Sequence, residues 1–360
     1  MSGAPLLDPH VTPVIGLGAA TPAPVAADRT GSHGGSPAGL DSAATRHRGL
    51  GLLVGLAASA AFATSGPFVK PLLEAGWTPG GAIIVRLTIG AVLLAIPTLL
   101  VLRRTPGGWR SVRENWRWIL AFGIMGVAAP STLYFLAVER LPVAVALLVE
   151  YTGPLLLIGW SWLRTRRMPR PGVLVGASLA MFGLVAVLDL AGSLQLDPVG
   201  LVFAAGSAIG NASYFALTAR PLTIPPLAMA GLGMIVGAVA VVLIGVSGIL
   251  AVRTPFVDVA LLDSRVPAWV PLLIVGALPT AVAYGVSVIS VRMLGERVAS
   301  FVGLAEVLFA VLLAWFLLAE RPTLAQGLGA TAVVVGVAVV RRWADPATGP
   351  ADQPSTAPPR

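Results

Sequence analysis

The chain contains no cysteine, which excludes disulfides, thiolate metal sites and cysteine nucleophiles. Its three histidines, His10, His33 and His47, all precede the first long apolar block. That block and everything after it therefore lack a histidine metal site or general base. Charge is scarce as well. Asp, Glu, Lys and Arg together make up 11% of the 360 residues, where a soluble domain carries about a quarter. Phosphate-binding loops are missing too: "GLGLLVG" (49–55) and "GLGMIVG" (231–237) lack the GxGxxG spacing after a strand and before a helix. Small residues four apart in an apolar helix mean close helix packing instead.

The sequence is, by contrast, rich in apolar residues, at 56% with a mean hydropathy of +0.86, and these come in long blocks. Such blocks mark a polytopic membrane protein. The net charge of +8 would raise nucleic-acid binding in a soluble chain, but in a membrane protein basic residues mostly set topology. Residues 1–47 and 344–360 are rich in small and polar residues without periodicity and read as disordered tails. The run Val14 to Ala20 has no basic n-region and is not a signal peptide. Between the tails lie ten apolar segments: 49–72, 79–102, 116–138, 142–163, 172–190, 198–218, 226–251, 268–290, 297–319 and 324–341. Backbone polar groups in lipid must be satisfied within the segment, so all ten are expected to be α-helices. Most prolines fall at segment edges, whereas Pro67, Pro130, Pro154 and Pro279 fall inside and should kink or unwind their helices.

With a cytoplasmic N-terminus, the inner loops carry Arg103, Arg104, Arg110, Arg113 and Arg117, then Arg164, Arg166, Arg167 and Arg170. The outer loops hold only Lys70, Arg140, Arg253, Arg265 and Arg321. This asymmetry fits the positive-inside rule and puts both termini in the cytoplasm, which requires an even number of spans. An internal echo divides the chain. Glu150 sits mid-way along the fourth segment and Gly176 and Gly183 in the fifth, while Glu306 sits in the ninth and Gly329 and Gly336 in the tenth. The expected fold is an all-α membrane protein of two inverted five-helix repeats, 48–190 and 191–343, with a substrate site near the midplane between them.

Glu150, Glu306 and Arg86 are the only charged residues near segment centres. A charge at that depth costs about 2.5–3.5 kcal/mol on insertion scales, so each is a functional candidate facing the bundle interior. The plainer reading gives the two glutamates helix-locking hydrogen bonds and makes Arg86 their ion-pair partner. The sharper one makes them a substrate or proton pathway. Asn211, Ser213, Tyr214, Tyr151, Thr152, Tyr134 and Tyr284 are further polar residues at membrane depth that could line a cavity, though singly each is explained better by a helix–helix hydrogen bond than by a ligand contact. The sequon Asn211-Ala-Ser213 lies mid-membrane, beyond the reach of glycosylation. Without a nucleotide site, uphill movement of a solute has to draw on an ion gradient.

Ten spans, two repeats and an arginine in the second helix resemble the EamA-type drug/metabolite transporter superfamily. "RLPVAVALLVEYTGPLLL" (140–157) is similar to the signature of its threonine/homoserine exporter branch. So is "AYGVSVISVRMLGERVASFVGLAEVLFAVLLAWFLLAERPT", with its spacing from Tyr284 to Glu306, and so is Lys70 after "SGPFV". Two positions depart from the family: Val307 follows Glu306 where proline is usual, and Asn211 stands where an aromatic residue is expected. The resemblance implies a small-molecule exporter of the cytoplasmic membrane rather than an enzyme, exchanging threonine/homoserine-like amino acids or related polar metabolites, with protons as coupling ion. It implies a pathway through Glu150, Glu306, Arg86, Tyr151, Asn211, Tyr214, Tyr284 and Lys70, with a kink at Gly153-Pro154, no cofactor, no metal and no nucleic-acid partner. Export of amphiphilic cations, an intramembrane enzyme acting on lipid-linked substrates and a non-transporting sensor remain as alternatives. Monomer and homodimer are equally compatible with the sequence.

Overall fold

A computed structural model describes residues 37–141, 143–188, 197–255, 257–261, 264–318 and 323–343. Residues 1–36 of the expected N-terminal tail and all of 344–360 lie outside them, as do Pro142 and Pro322.

The helices run in chain order α1 (Pro37–Ala63), α2 (Ser65–Glu74), α3 (Pro79–Arg104), α4 (Gly108–Ala121), α5 (Ala129–Val138), α6 (Val143–Glu150), α7 (Gly153–Thr165), α8 (Pro171–Val187), α9 (Pro198–Thr218), α10 (Pro226–Val246), α11 (Trp269–Gly276), α12 (Ala283–Leu294), α13 (Glu296–Gly303), α14 (Ala305–Leu318) and α15 (Leu324–Trp343). A short hairpin, β1 (Asp258–Leu261) with β2 (Ser264–Pro267), sits between α10 and α11. Among the described residues, eight stretches are long and apolar enough to cross a membrane: 49–74, 79–104, 108–138, 145–165, 198–218, 226–246, 269–294 and 324–343. The fifth expected segment is the 17-residue α8, about 26 Å long at 1.5 Å per residue, a little under a hydrocarbon core of about 30 Å. The ninth is divided into α13 and α14, of 8 and 14 residues.

Helix starts follow from local chemistry. Pro79, Pro171, Pro198 and Pro226 open their helices, where a missing N–H costs nothing. Thr78 and Asp197 cap α3 and α9 by accepting from Gly81 N (3.2 Å) and Val199 N (2.7 Å).

The interruptions are more telling. The first span breaks at Thr64, separating α2 from α1. Among the described residues two segments are π-helical, Phe122–Ala128 between α4 and α5 and Ala277–Val282 between α11 and α12. Both adjoin the prolines expected to disturb their helices, Pro130 just beyond the first and Pro279 within the second. A proline has no N–H to give the preceding turn; at the second site the Thr280 hydroxyl donates to Val275 O (2.8 Å) in its place.

Close packing comes from glycine. A Cβ on Gly176 would lie 2.8 Å from Gly336 O, and one on Gly183 would lie 2.6 Å from Gly329 O. The glycines that echo each other in sequence thus meet across α8 and α15, each with the other's counterpart. The "GLGLLVG" and "GLGMIVG" stretches pack in the same way: Gly51 abuts Met293, and Gly233 abuts Phe122.

The segment after α10 straps the corner between α2 and α3. Thr78 Oγ1 donates to Ala251 O (2.7 Å) and accepts from Arg253 N (2.9 Å), and Trp77 Nε1 donates to Pro255 O (2.8 Å). Val259 of β1 is buried with Leu72, Trp77 and Leu272.

Candidate functional site

A cavity of about 740 Å³ lies among the broken helices. Glu150, Glu306, Arg86, Tyr151, Asn211, Tyr214, Tyr284, Lys70 and Pro154 all line it. Three further candidates, Thr152, Gly153 and Ser213, do not. Gly153 packs beside it against Asn211 and Ala208, and the Ser213 hydroxyl turns back onto Ile209 O (2.8 Å).

The carboxylates are not in mid-helix, as the sequence suggested, but at helix ends inside the apolar zone. Glu150 is the last residue of α6, and the chain turns through Tyr151 and Thr152 before α7 begins at Gly153. Pro154 removes an N–H and Thr152 caps Val149 O with its own hydroxyl (2.7 Å), so the turn is satisfied locally. Glu306 is the second residue of α14, just past the turn at Leu304. Proline is absent here, yet the break persists: Leu304 N reaches back to Phe301 O and Val307 N to Leu304 O, three-residue steps rather than four. Both acids therefore stand beside a tightened three-residue turn that interrupts the helix where the cavity is lined.

Around them the polar contacts are specific. Glu150 lies against Ser207 and Asn211 of α9, and Glu306 lies against the Tyr151 hydroxyl. Arg86, on α3, donates from Nη1 to Ser65 Oγ (3.2 Å), and its Nε is buried without a partner. A guanidinium with a free buried N–H facing a cavity that holds two carboxylates can take an anionic group bidentately.

All four tyrosines of the chain line this one cavity. Tyr284 stacks edge-on against Phe62 (5.2 Å between centroids) and Tyr214 (5.7 Å). Ser131 and Ser287 also line it, and no reading of single residues picked them out. The signal was a spacing: Ser131, Tyr134 and Val138 on α5 repeat as Tyr284, Ser287 and Val291 on α12, one helical face in each half. Among the described residues no group of three or more His, Asp or Glu side chains is placed to hold a metal.

The EamA-like transporter family model matches residues 49–188 and again 198–342, two copies covering most of the chain. The chain belongs to the EamA-like transporter family. It is thus a multi-pass membrane protein of the drug/metabolite transporter superfamily, whose members carry small molecules across the bilayer and are not enzymes. The two family copies join at the α8–α9 connection, so each carries one of the acidic helix breaks. A solved structure described as "Crystal structure of protein" is similar over 82% of this chain and 99% of its own, with a TM-score of 0.64 and 22% identity. That likeness supports the EamA fold alone. No curated protein matches the sequence.

Proposed function

We propose that this EamA-like protein exports small amino acids of the threonine/homoserine kind, or related polar metabolites, across the cytoplasmic membrane in exchange for protons. The reading takes ten spans arranged as two inverted five-helix repeats, both termini cytoplasmic, and access alternating between the two faces. The observation that carries it is the meeting of Glu150, Glu306 and Arg86 in one cavity. A zwitterion has an ammonium for one carboxylate and a carboxylate for the guanidinium, and a proton on the second glutamate balances the remaining charge. In this scheme Glu150 holds either a proton or the substrate ammonium, and that competition couples the two fluxes. Purified protein in liposomes should exchange labelled threonine for protons, and Glu150→Gln should lower that exchange at least tenfold and flatten its dependence on pH. Full exchange with an unchanged pH dependence in E150Q would overturn the mechanism.

A second reading has its own support. The Phe62, Tyr284 and Tyr214 rings, beside two carboxylates and one arginine, also suit an amphiphilic organic cation. The cavity volume falls within the range of about 300–1,000 Å³ typical of drug-sized ligands. A flux screen of amino acids against cationic dyes separates the two.

A further inference from the structure

The two acidic sites are not independent. Glu150 and Tyr151 are joined by a peptide bond at the break between α6 and α7. The Tyr151 side chain crosses to the other repeat, where its hydroxyl lies against the Glu306 carboxylate. Its ring is buried in one apolar cluster with Phe301, Leu304 and Val307, the residues that flank the second break. Tyr151 is only 8% exposed, so the ring is held while the hydroxyl reaches the cavity. One side chain thus spans from the tight turn of one repeat to the acid at the tight turn of the other.

We infer that Tyr151 is a positioning residue that couples the occupancy of Glu306 to the turn carrying Glu150. A charged, empty Glu306 is an acceptor for the Tyr151 O–H and holds the first break in place. A Glu306 that has taken up a proton or a substrate ammonium competes with that donor and releases the turn. The other ionisable groups lining the cavity with the two glutamates are Lys70 on α2, Arg86 on α3, Tyr134 on α5, Tyr214 on α9 and Tyr284 on α12, and none of them lies at either break. The role is distinct from binding: Tyr151 acts through the two glutamates. This inference rests on the transport reading above only for its second test.

The first test needs no substrate. The chain has no cysteine, so a single Leu147→Cys on α6, which lines the cavity one turn before Glu150, reports on the first break. Glu306→Gln mimics the neutral acid. It should change the maleimide labelling rate of L147C at least threefold, and Tyr151→Phe, which keeps the ring and removes only the hydroxyl, should cancel that response. An unchanged rate in E306Q, or an equal response with and without Y151F, overturns the inference. The second test is flux in liposomes with labelled threonine. Y151F should lower proton-driven accumulation at least fivefold more than it lowers downhill exchange. Parallel loss of both, or retention of accumulation, would mean that Tyr151 merely packs. If the native protein moves no threonine, the transport reading fails while the labelling result still stands on its own.

Discussion

At the residue scale, the charges that composition made conspicuous turn out to share one cavity, and their value lies in what each lacks. Among the described residues, Arg86 donates one side-chain hydrogen bond, to Ser65, and its buried Nε has no partner. Lysine offers a point charge where arginine offers a planar fork, so the two are not interchangeable at such a site. Arg86→Gln should raise the KM for a zwitterionic substrate at least tenfold, about 1.4 kcal/mol, and R86K should recover only part of that loss in liposome flux assays. Equal KM values in R86Q and native protein would exclude the guanidinium from binding. Glu150, Glu306 and Arg86 were legible because apolar surroundings make an ionisable residue costly. Ser131 and Ser287 were not, since a serine in a membrane helix is too common to stand out and only its spacing to a tyrosine on the same face marks it.

At the element scale, the sequence showed where helices lie better than where they stop. Among the described residues, eight of the expected segments coincide with helices long and apolar enough to cross a membrane, but the turns at Thr64, Tyr151-Thr152 and Leu304 fall inside uninterrupted hydrophobicity. Hydropathy reports the solvent around a helix, and a break that satisfies its own backbone leaves that average unchanged. Proline pointed to the disturbances near Pro130, Pro154 and Pro279, whereas the break before Glu306 carries no proline at all. The α8–α15 crossing yields a stability prediction. A Cβ on Gly336 would lie 2.5 Å from Ala180 N and 2.6 Å from Gly176 O, both backbone atoms. Gly336→Ala should therefore destabilise the protein by about 1–3 kcal/mol through overpacking, while Gly159→Ala, with open space around it, should leave the melting temperature in detergent unchanged. The cap of α9 gives a pH-dependent counterpart. The Val199 N–H, then that of Gly200 and the Arg140 guanidinium, hold the exposed Asp197 carboxyl below the usual aspartate range. Its contribution is thus complete above the ordinary aspartate value of about 3.9 and is lost as pH falls below that through the depressed folded value. The melting-temperature gap between native protein and Asp197→Ala should shrink accordingly in acid.

At the scale of the whole molecule, the duplication was legible as a recurrence of acid, glycine pair and spacing, and the family match falls on the same two halves. Orientation rests on arginine placement and is open to a direct check, because a chain without cysteine is ready for single-site labelling. Thr105→Cys, beside the arginine-rich turn before α4, should react with an impermeant maleimide only from the cytoplasmic side, and Ser264→Cys on the hairpin only from the opposite side. The reverse pattern would invert the topology. The strap between α10 and α11 bears on energetics as well. In the inverted arrangement proposed above, exchanging the roles of the two repeats turns one access state into the other, so identical repeats would hold both states level. The connection after α10 clasps the α2–α3 corner through Thr78 and Trp77, whereas in the first repeat the connection at 105–107 is short and the α9–α10 corner is held from α4 instead, by Asn115 Nδ2 donating to Thr223 Oγ1 (2.8 Å) and by Arg220 over the Trp118 ring. A seesaw with unequal weights on its two arms should come to rest on one side before any solute arrives.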